Sequence, residues 1–194
     1  MARTKYLSEL FGCSEEEANT HYKKTKHDID WRAEKFGVAT TPLQCVHILL
    51  EGRTLTSKKS AVTILGELHD IVMQYPPIII PEMHEAIGNA SKNMTIAITS
   101  NTNFIPGSIL RSFLISEMFH HFSFSDEIGV SKPHIDIFNT TLVGIARHRA
   151  VYSFEVAHIG DHPACDMQGS LRAEMTPFLV ENPAETIRVL KKLS

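Results

Sequence analysis

The residues best suited to chemistry lie in Ile159-Gly160-Asp161-His162-Pro163-Ala164-Cys165-Asp166. Two carboxylates, Asp161 and Asp166, stand five positions apart just beyond Val156 to Ile159, which reads as a buried strand. Open α/β sheets hold their ligands at the carboxyl ends of strands. Carboxylates converging on such a loop suit a hard cation such as Mg²⁺, with water and a substrate phosphate completing its shell. Gly-Asp-x-Pro is also a plain turn, so a purely structural reading stands beside the metal one. His162 lies in the same loop, where it either shapes the turn or touches a substrate.

Two stretches upstream supply matching chemistry. Met94-Thr95-Ile96-Ala97-Ile98-Thr99-Ser100-Asn101 is a short apolar run ending in hydroxyl and amide side chains. A helix is expected soon after, over Ser108 to Met118. A strand-tip hydroxyl followed by a helix start can hold phosphate through Ser100 and nearby backbone N–H groups, with Asn101 adding a contact. Further on, Gly129-Val130-Ser131-Lys132-Pro133 puts a lysine just before a proline that opens a helix, expected over His134 to Ala146. Lys132 is either an ordinary loop residue or a point charge aimed at a phosphate.

Taken in order, strand-Ser-Asn, Gly-Val-Ser-Lys-Pro and strand-Gly-Asp-x-x-x-x-Asp resemble the second, third and fourth motifs of the haloacid dehalogenase-like hydrolase superfamily. The resemblance implies a Rossmann-like, doubly wound, mostly parallel α/β sheet with a small helical cap. It implies that Ser100 holds a phosphoryl group and that Lys132 neutralises its charge. Asp161 would ligate Mg²⁺, and Asp166 would support the metal or Lys132. Met167 to Met175 looks like the family's helix after the fourth motif.

The first motif is not found. In the family it is a central strand ending in Asp-x-Asp, whose first aspartate is the nucleophile in a covalent, two-step strategy. The only Asp-x-Asp here, Asp28-Ile29-Asp30, follows a polar, basic stretch that cannot be a buried parallel strand. It reads as a solvated helix end. Cys45-Val46-His47-Ile48-Leu49-Leu50-Glu51-Gly52-Arg53-Thr54-Leu55-Thr56 imitates the motif, with Leu50 and Gly52 where the aspartates belong. Its apolar residues at 43, 46, 49 and 50 have helical spacing instead, with Pro42 before them and Gly52 as a stop.

The first 75 residues read as helices. Ser14 and Glu17 form a capping box for a helix expected to reach about Lys26. Others are expected near Pro42 to Glu51 and Ser60 to Gln74. This block looks like the superfamily's helical cap. Its Phe-Gly-x-Ser-Glu-Glu-Glu-Ala start is similar to caps of pyrimidine-5′-nucleotidase-like members. Tyr22, Trp31 and Phe36 are expected to pack that cap. The expected division is residues 1–75 as cap and 76–194 as α/β core, joined at Tyr75-Pro76-Pro77.

Four core strands are expected: Asn93 to Thr99, Phe122 to Ser125, Glu155 to Ile159 and Pro177 to Val180. Without a central strand, two of them expose backbone groups inside the fold. Each buried, unsatisfied group costs about 1–3 kcal/mol, against a whole-domain stability of roughly 5–15 kcal/mol. The gap must be closed by the sheet itself, by residues 45–50, by Ile78-Ile79-Ile80, by a second copy exchanging strands, or by a partner. Prolines on both sides make 78–80 a poor strand.

Composition excludes several classes. A net charge of −3 argues against a general nucleic-acid binder. No stretch reaches the roughly 18 apolar residues of a membrane span. Cys13, Cys45 and Cys165 are too far apart for a disulfide framework or zinc pattern, so a reducing cytoplasm is expected. Two functions remain: a phosphatase-fold protein that binds a small phosphorylated ligand with impaired or no hydrolysis, or an active Mg²⁺-dependent phosphomonoester hydrolase. The second needs a nucleophile strand from upstream residues or a partner chain, including a strand-exchanged homodimer.

Overall fold

The computed structural model describes residues 2–114 and 116–194. Its first part is helical: α1 (Ala2–Phe11), α2 (Glu15–Phe36), α3 (Pro42–Leu50) and α4 (Ala61–Gln74). Capping boxes start two of them. The Ser14 hydroxyl accepts the Glu17 amide while Glu17 accepts the Ser14 amide, and Thr41 and Gln44 repeat the exchange. Each such cap stabilises a helix start by about 1 kcal/mol. Leu7, Ile29, Val46, Leu49 and Ile64 are fully buried in the core these helices share.

Helix α2 runs ten residues past the expected end at Lys26, to Phe36. Its buried residues Tyr22, Thr25, Ile29 and Ala33 form one stripe at helical spacing, which the surrounding charges obscure in the sequence. Gly37 ends it at φ 65, in the left-handed region that favours glycine. Trp31 and Phe36 depart from expectation: they are 48% and 59% exposed, and only Tyr22 packs inward.

The second part contains α5 (Pro81–Ala90), β1 (Ala97–Ser100), α6 (Gly107–Phe113), β2 (His121–Phe124), α7 (Ser125–Ile128), α8 (Ile135–Ala146), β3 (Ala157–Gly160), α9 (Gly169–Arg172), β4 (Thr176–Leu179) and α10 (Pro183–Leu193). A π-type turn over Pro163–Gln168 precedes α9. The architecture is α/β, a Rossmann-like core with a helical cap. Helix α6 is shorter than expected. His134, not Pro133, caps α8, its Nδ1 accepting the Asp136 amide.

The sheet is split. β1 pairs with β2 in parallel, Ala97 opposite His121 through Ser100 opposite Phe124. β3 pairs with β4 in parallel, Ala157 opposite Thr176 through Gly160 opposite Leu179. No ladder joins β1 to β3 among the described residues. Residues 45–50 are helix, and Ile78, 94% exposed, lies in irregular chain. Every residue of β1 and β3 is only half-buried, unlike a parallel strand covered on both sides.

Helix α8 packs on the first pair of strands with almost no clearance. A Cβ added at Gly144 would lie 2.2 Å from the His121 ring. Alanine gains up to about 1 kcal/mol over glycine in helix propensity, but overpacking costs about 1–3 kcal/mol. Gly144→Ala is therefore expected to lower the urea midpoint, and an unchanged or higher midpoint would show that His121 swings aside freely.

Candidate functional site

A cleft of about 560 Å³ opens between helix α2 and the strand tips. Tyr22, Asp30, Trp31 and Glu34 line it from α2, and Ser100, Lys132, Asp161 and His162 from the core. The predicted residues thus converge, but in unequal roles.

Lys132 is the most constrained. Its Nζ donates to the Thr99 carbonyl of β1 at 3.2 Å and to Asp166 Oδ1 at 2.6 Å. The Lys132 and Asp166 side chains are 13% and 5% exposed. An ammonium has three donors, so one remains for a ligand. Asn101 grips the Lys132 backbone twice: Nδ2 donates to the carbonyl at 3.0 Å, and Oδ1 accepts the amide at 2.7 Å. This clamp positions Lys132 and engages both polar atoms of the Asn101 side chain, from which a phosphate contact was expected.

Asp166 is likewise committed. Besides Lys132, its Oδ1 accepts from His158 Nε2 at 3.0 Å, with the His158 tautomer set by that bond, and its Oδ2 accepts the His162 amide at 2.9 Å. Burial alone pushes the Asp166 carboxyl up. The His158 hydrogen bond, the Lys132 charge and hydrogen bond, and the His162 amide outweigh it and hold the carboxyl well below the usual range. Oδ1 thus accepts two donors and Oδ2 one, a heavier engagement than that of Asp161. Asp161 is exposed on the cleft wall, while Asp166 supports Lys132. Gly160 makes this possible: a Cβ there would meet Asp166 Cγ at 2.2 Å.

Ser100 sits at the tip of β1, half-buried, its Oγ donating at 3.3 Å to the Asn101 carbonyl, a long bond that a ligand can replace. The neighbouring amides are less available than expected. Thr102 N–H donates to Ser125 Oγ, and Gly107 N–H, at the start of α6, donates to Asp126.

The cap contributes two residues, Asp30 and Glu34, that were not expected in the site. Asp30 is not at a helix end: it lies inside α2 in the cleft wall, paired with Lys26 and accepting from Asn103 Nδ2 at 2.8 Å. Glu34 lies beside His162, Oε2 to Nε2 at 3.7 Å. The spacing of 26, 30 and 34 was the available signal, since residues four apart share a helix face.

The model of the haloacid dehalogenase-like hydrolase family matches residues 2–180. The chain belongs to that family. Among solved structures it is similar to the HAD-hydrolase YfnB of Bacillus subtilis bound to magnesium, at TM-score 0.66 and 14% identity, covering 89% of this chain and 82% of that one. It is similar to a HAD phosphatase from Thermococcus onnurineus, at TM-score 0.57 and 17% identity, covering 97% and 86%. It is also similar to a 2-haloacid dehalogenase from Pseudomonas syringae, at TM-score 0.56 and 16% identity, covering 90% and 80%. At these identities the likeness speaks for the fold. No curated protein matches the sequence.

Within this family member, removing one partner of the buried pair strands the other charge, at about 3–5 kcal/mol. Asp166→Asn is expected to destabilise the fold by that order in thermal or urea unfolding. The sign with pH follows from the depressed carboxyl. Its contribution is present above the unfolded aspartate value near 3.9 and is lost as pH falls through the lower folded value. Wild type should therefore lose stability below about pH 4, with a shallower loss in Asp166→Asn; parallel acid profiles would assign the loss to other carboxylates.

Proposed function

We propose that this chain binds a small phosphorylated ligand at the strand tips and hydrolyses it poorly or not at all. The observation that carries the reading is Lys132, fixed by Thr99, Asn101 and Asp166 with one ammonium hydrogen left beside Ser100 in the cleft. Ser100 and Lys132 hold the phosphate. His162, on the same wall, is within reach of the rest of the ligand. Helices 1–75 act as a cap over the 76–194 core.

Mg²⁺ is held by one or two carboxylates plus waters and phosphate oxygens. Asp161 fits that need, being exposed and without an ion-pair or hydrogen-bond partner among the described residues. When bound there, the ion supplies charge neutralisation for phosphate. Impaired hydrolysis is proposed because the chain's only Asp-x-Asp lies on helix α2, where Asp30 is engaged by Lys26 and Asn103. A missing nucleophile costs several orders of magnitude in rate, since catalytic groups act as a unit. A reducing cytoplasm suits three unpaired cysteines, and no described helix is long and apolar enough to cross a membrane.

A second reading is favoured by the split sheet. Among the described residues β1 and β3 each have one unpaired edge, able to receive a strand bearing a nucleophile from upstream residues or from another chain, such as an exchanged second copy. The two readings separate in one assay, hydrolysis of an aryl phosphate with and without Mg²⁺ beside Asp161→Asn. The first predicts no turnover above the variant; Mg²⁺-dependent turnover lost in Asp161→Asn would establish the second. For the binding itself, titration with inorganic phosphate is expected to weaken about tenfold in Ser100→Ala, the loss of one hydrogen bond to a charged group. Equal affinity would place the phosphate elsewhere.

A further inference from the structure

We propose that Glu34, His162 and Cys165 form a zinc-type metal site that joins helix α2 to the turn after β3. Among the described residues, they are the one group of three His, Cys or carboxylate side chains whose ligand atoms all lie within 4.8 Å of one another. The donor set is one oxygen, one nitrogen and one sulfur. That mixture suits Zn²⁺, which takes Cys sulfur at about 2.3 Å and His nitrogen or carboxylate oxygen at about 2.0–2.2 Å. It does not suit Mg²⁺, which wants an octahedron of oxygens. The site is therefore chemically separate from Asp161.

The geometry is close to closed. Tetrahedral bonds of those lengths put ligand atoms roughly 3.3–3.6 Å apart. Glu34 Oε2 and His162 Nε2 already stand at 3.7 Å. His162 and Cys165 share one turn, where the Cys165 amide donates to His162 Nδ1 at 3.2 Å. The sulfur completes the triangle after a shift of about 1 Å, leaving the fourth tetrahedral position for water. Glu34 and His162 are 42% and 50% exposed, so an ion enters from the cleft.

Metal binding here must displace the thiol proton. Burial first, and the Glu34 charge second, push the Cys165 thiol up to about 11. Without a metal the sulfur keeps its proton. A divalent ion between Glu34 and Cys165 reverses that balance, and the thiol proton leaves to solvent as the metal–sulfur bond forms. The ring proton of His162 moves from Nε2 to Nδ1 in the same event, and the Cys165 amide gives up its contact there.

The test uses the full chain stripped by a chelator and titrated with Zn²⁺ alone against a chromophoric competitor, then with Co²⁺. One ion per chain is expected, with a thiolate-to-cobalt charge-transfer band. Cys165→Ser should abolish the band and weaken Zn²⁺ binding by about 100-fold, and Glu34→Gln by about tenfold, comparable to losses seen on altering metal-site shells. Cys13→Ser should bind like wild type, and circular dichroism confirms that each variant folds. Zn²⁺ affinity unmoved by Cys165→Ser and Glu34→Gln, a band that survives Cys165→Ser, or no tight site at all would each overturn the proposal. Neither phosphate nor turnover enters this readout, so its result is independent of the phosphate-binding reading.

Discussion

The Lys132–Asp166 ion pair is a buried polar link between the two halves of the α/β core, beside the packing of α8 on α9 and of α5 on α10. The first pair of strands and the second share no ladder, yet Lys132 touches the carbonyl of Thr99 on β1 and a carboxylate anchored to β3 by His158. A buried pair is tolerable only when its remaining hydrogen-bonding capacity is met. Here the His162 amide and His158 satisfy the carboxylate, while Asn101 fixes the lysine backbone from β1's side. His158 is itself held edge-on against Phe138 of α8, with ring centroids 5.2 Å apart. Lys132, proposed above to meet a phosphate, is thus also a group that links the two pairs of strands.

The cap is coupled to this cluster through the segment that leaves β1. Phe104 enters the helical core, 4.9 Å from the Tyr22 ring, and His69 bonds its carbonyl at 3.1 Å. Asn103, one residue earlier, reaches Asp30. The strand carrying Ser100 is therefore pinned to the helices that roof it. Cap and core thus meet through directional contacts around the cleft and through Phe104, which is buried in the helical core.

The superfamily and the order of its motifs were legible because short motifs at strand tips carry their own turn chemistry. The want of an apolar run for the central position was legible too, but the gap was expected to be closed, and among the described residues the strands form two separate pairs. What escaped was the packing that sets the two carboxylates apart: Gly160 leaves the room in which Asp166 folds back to Lys132, while Asp161 stays on the wall. The Asn101 clamp was not legible, because it depends on the approach of the Lys132 segment, thirty-one residues away. Asp30 and Glu34 were hidden by helix α2 itself: its charges suggested an early end, while its buried stripe continues to Ala33.

The run from Tyr75 to Pro81 leaves a sticky surface, with Ile78, Ile79 and Ile80 exposed by 94%, 40% and 41%. Isoleucine has high β-propensity, and six or seven such residues in a row are the raw material of cross-β stacking. Pro77 and Pro81 cut the segment to three and remove the amide donors at its borders. The same prolines that stiffen the link between helices and sheet thus act as gatekeepers, making an exposed apolar tether safe against fibril-like self-association.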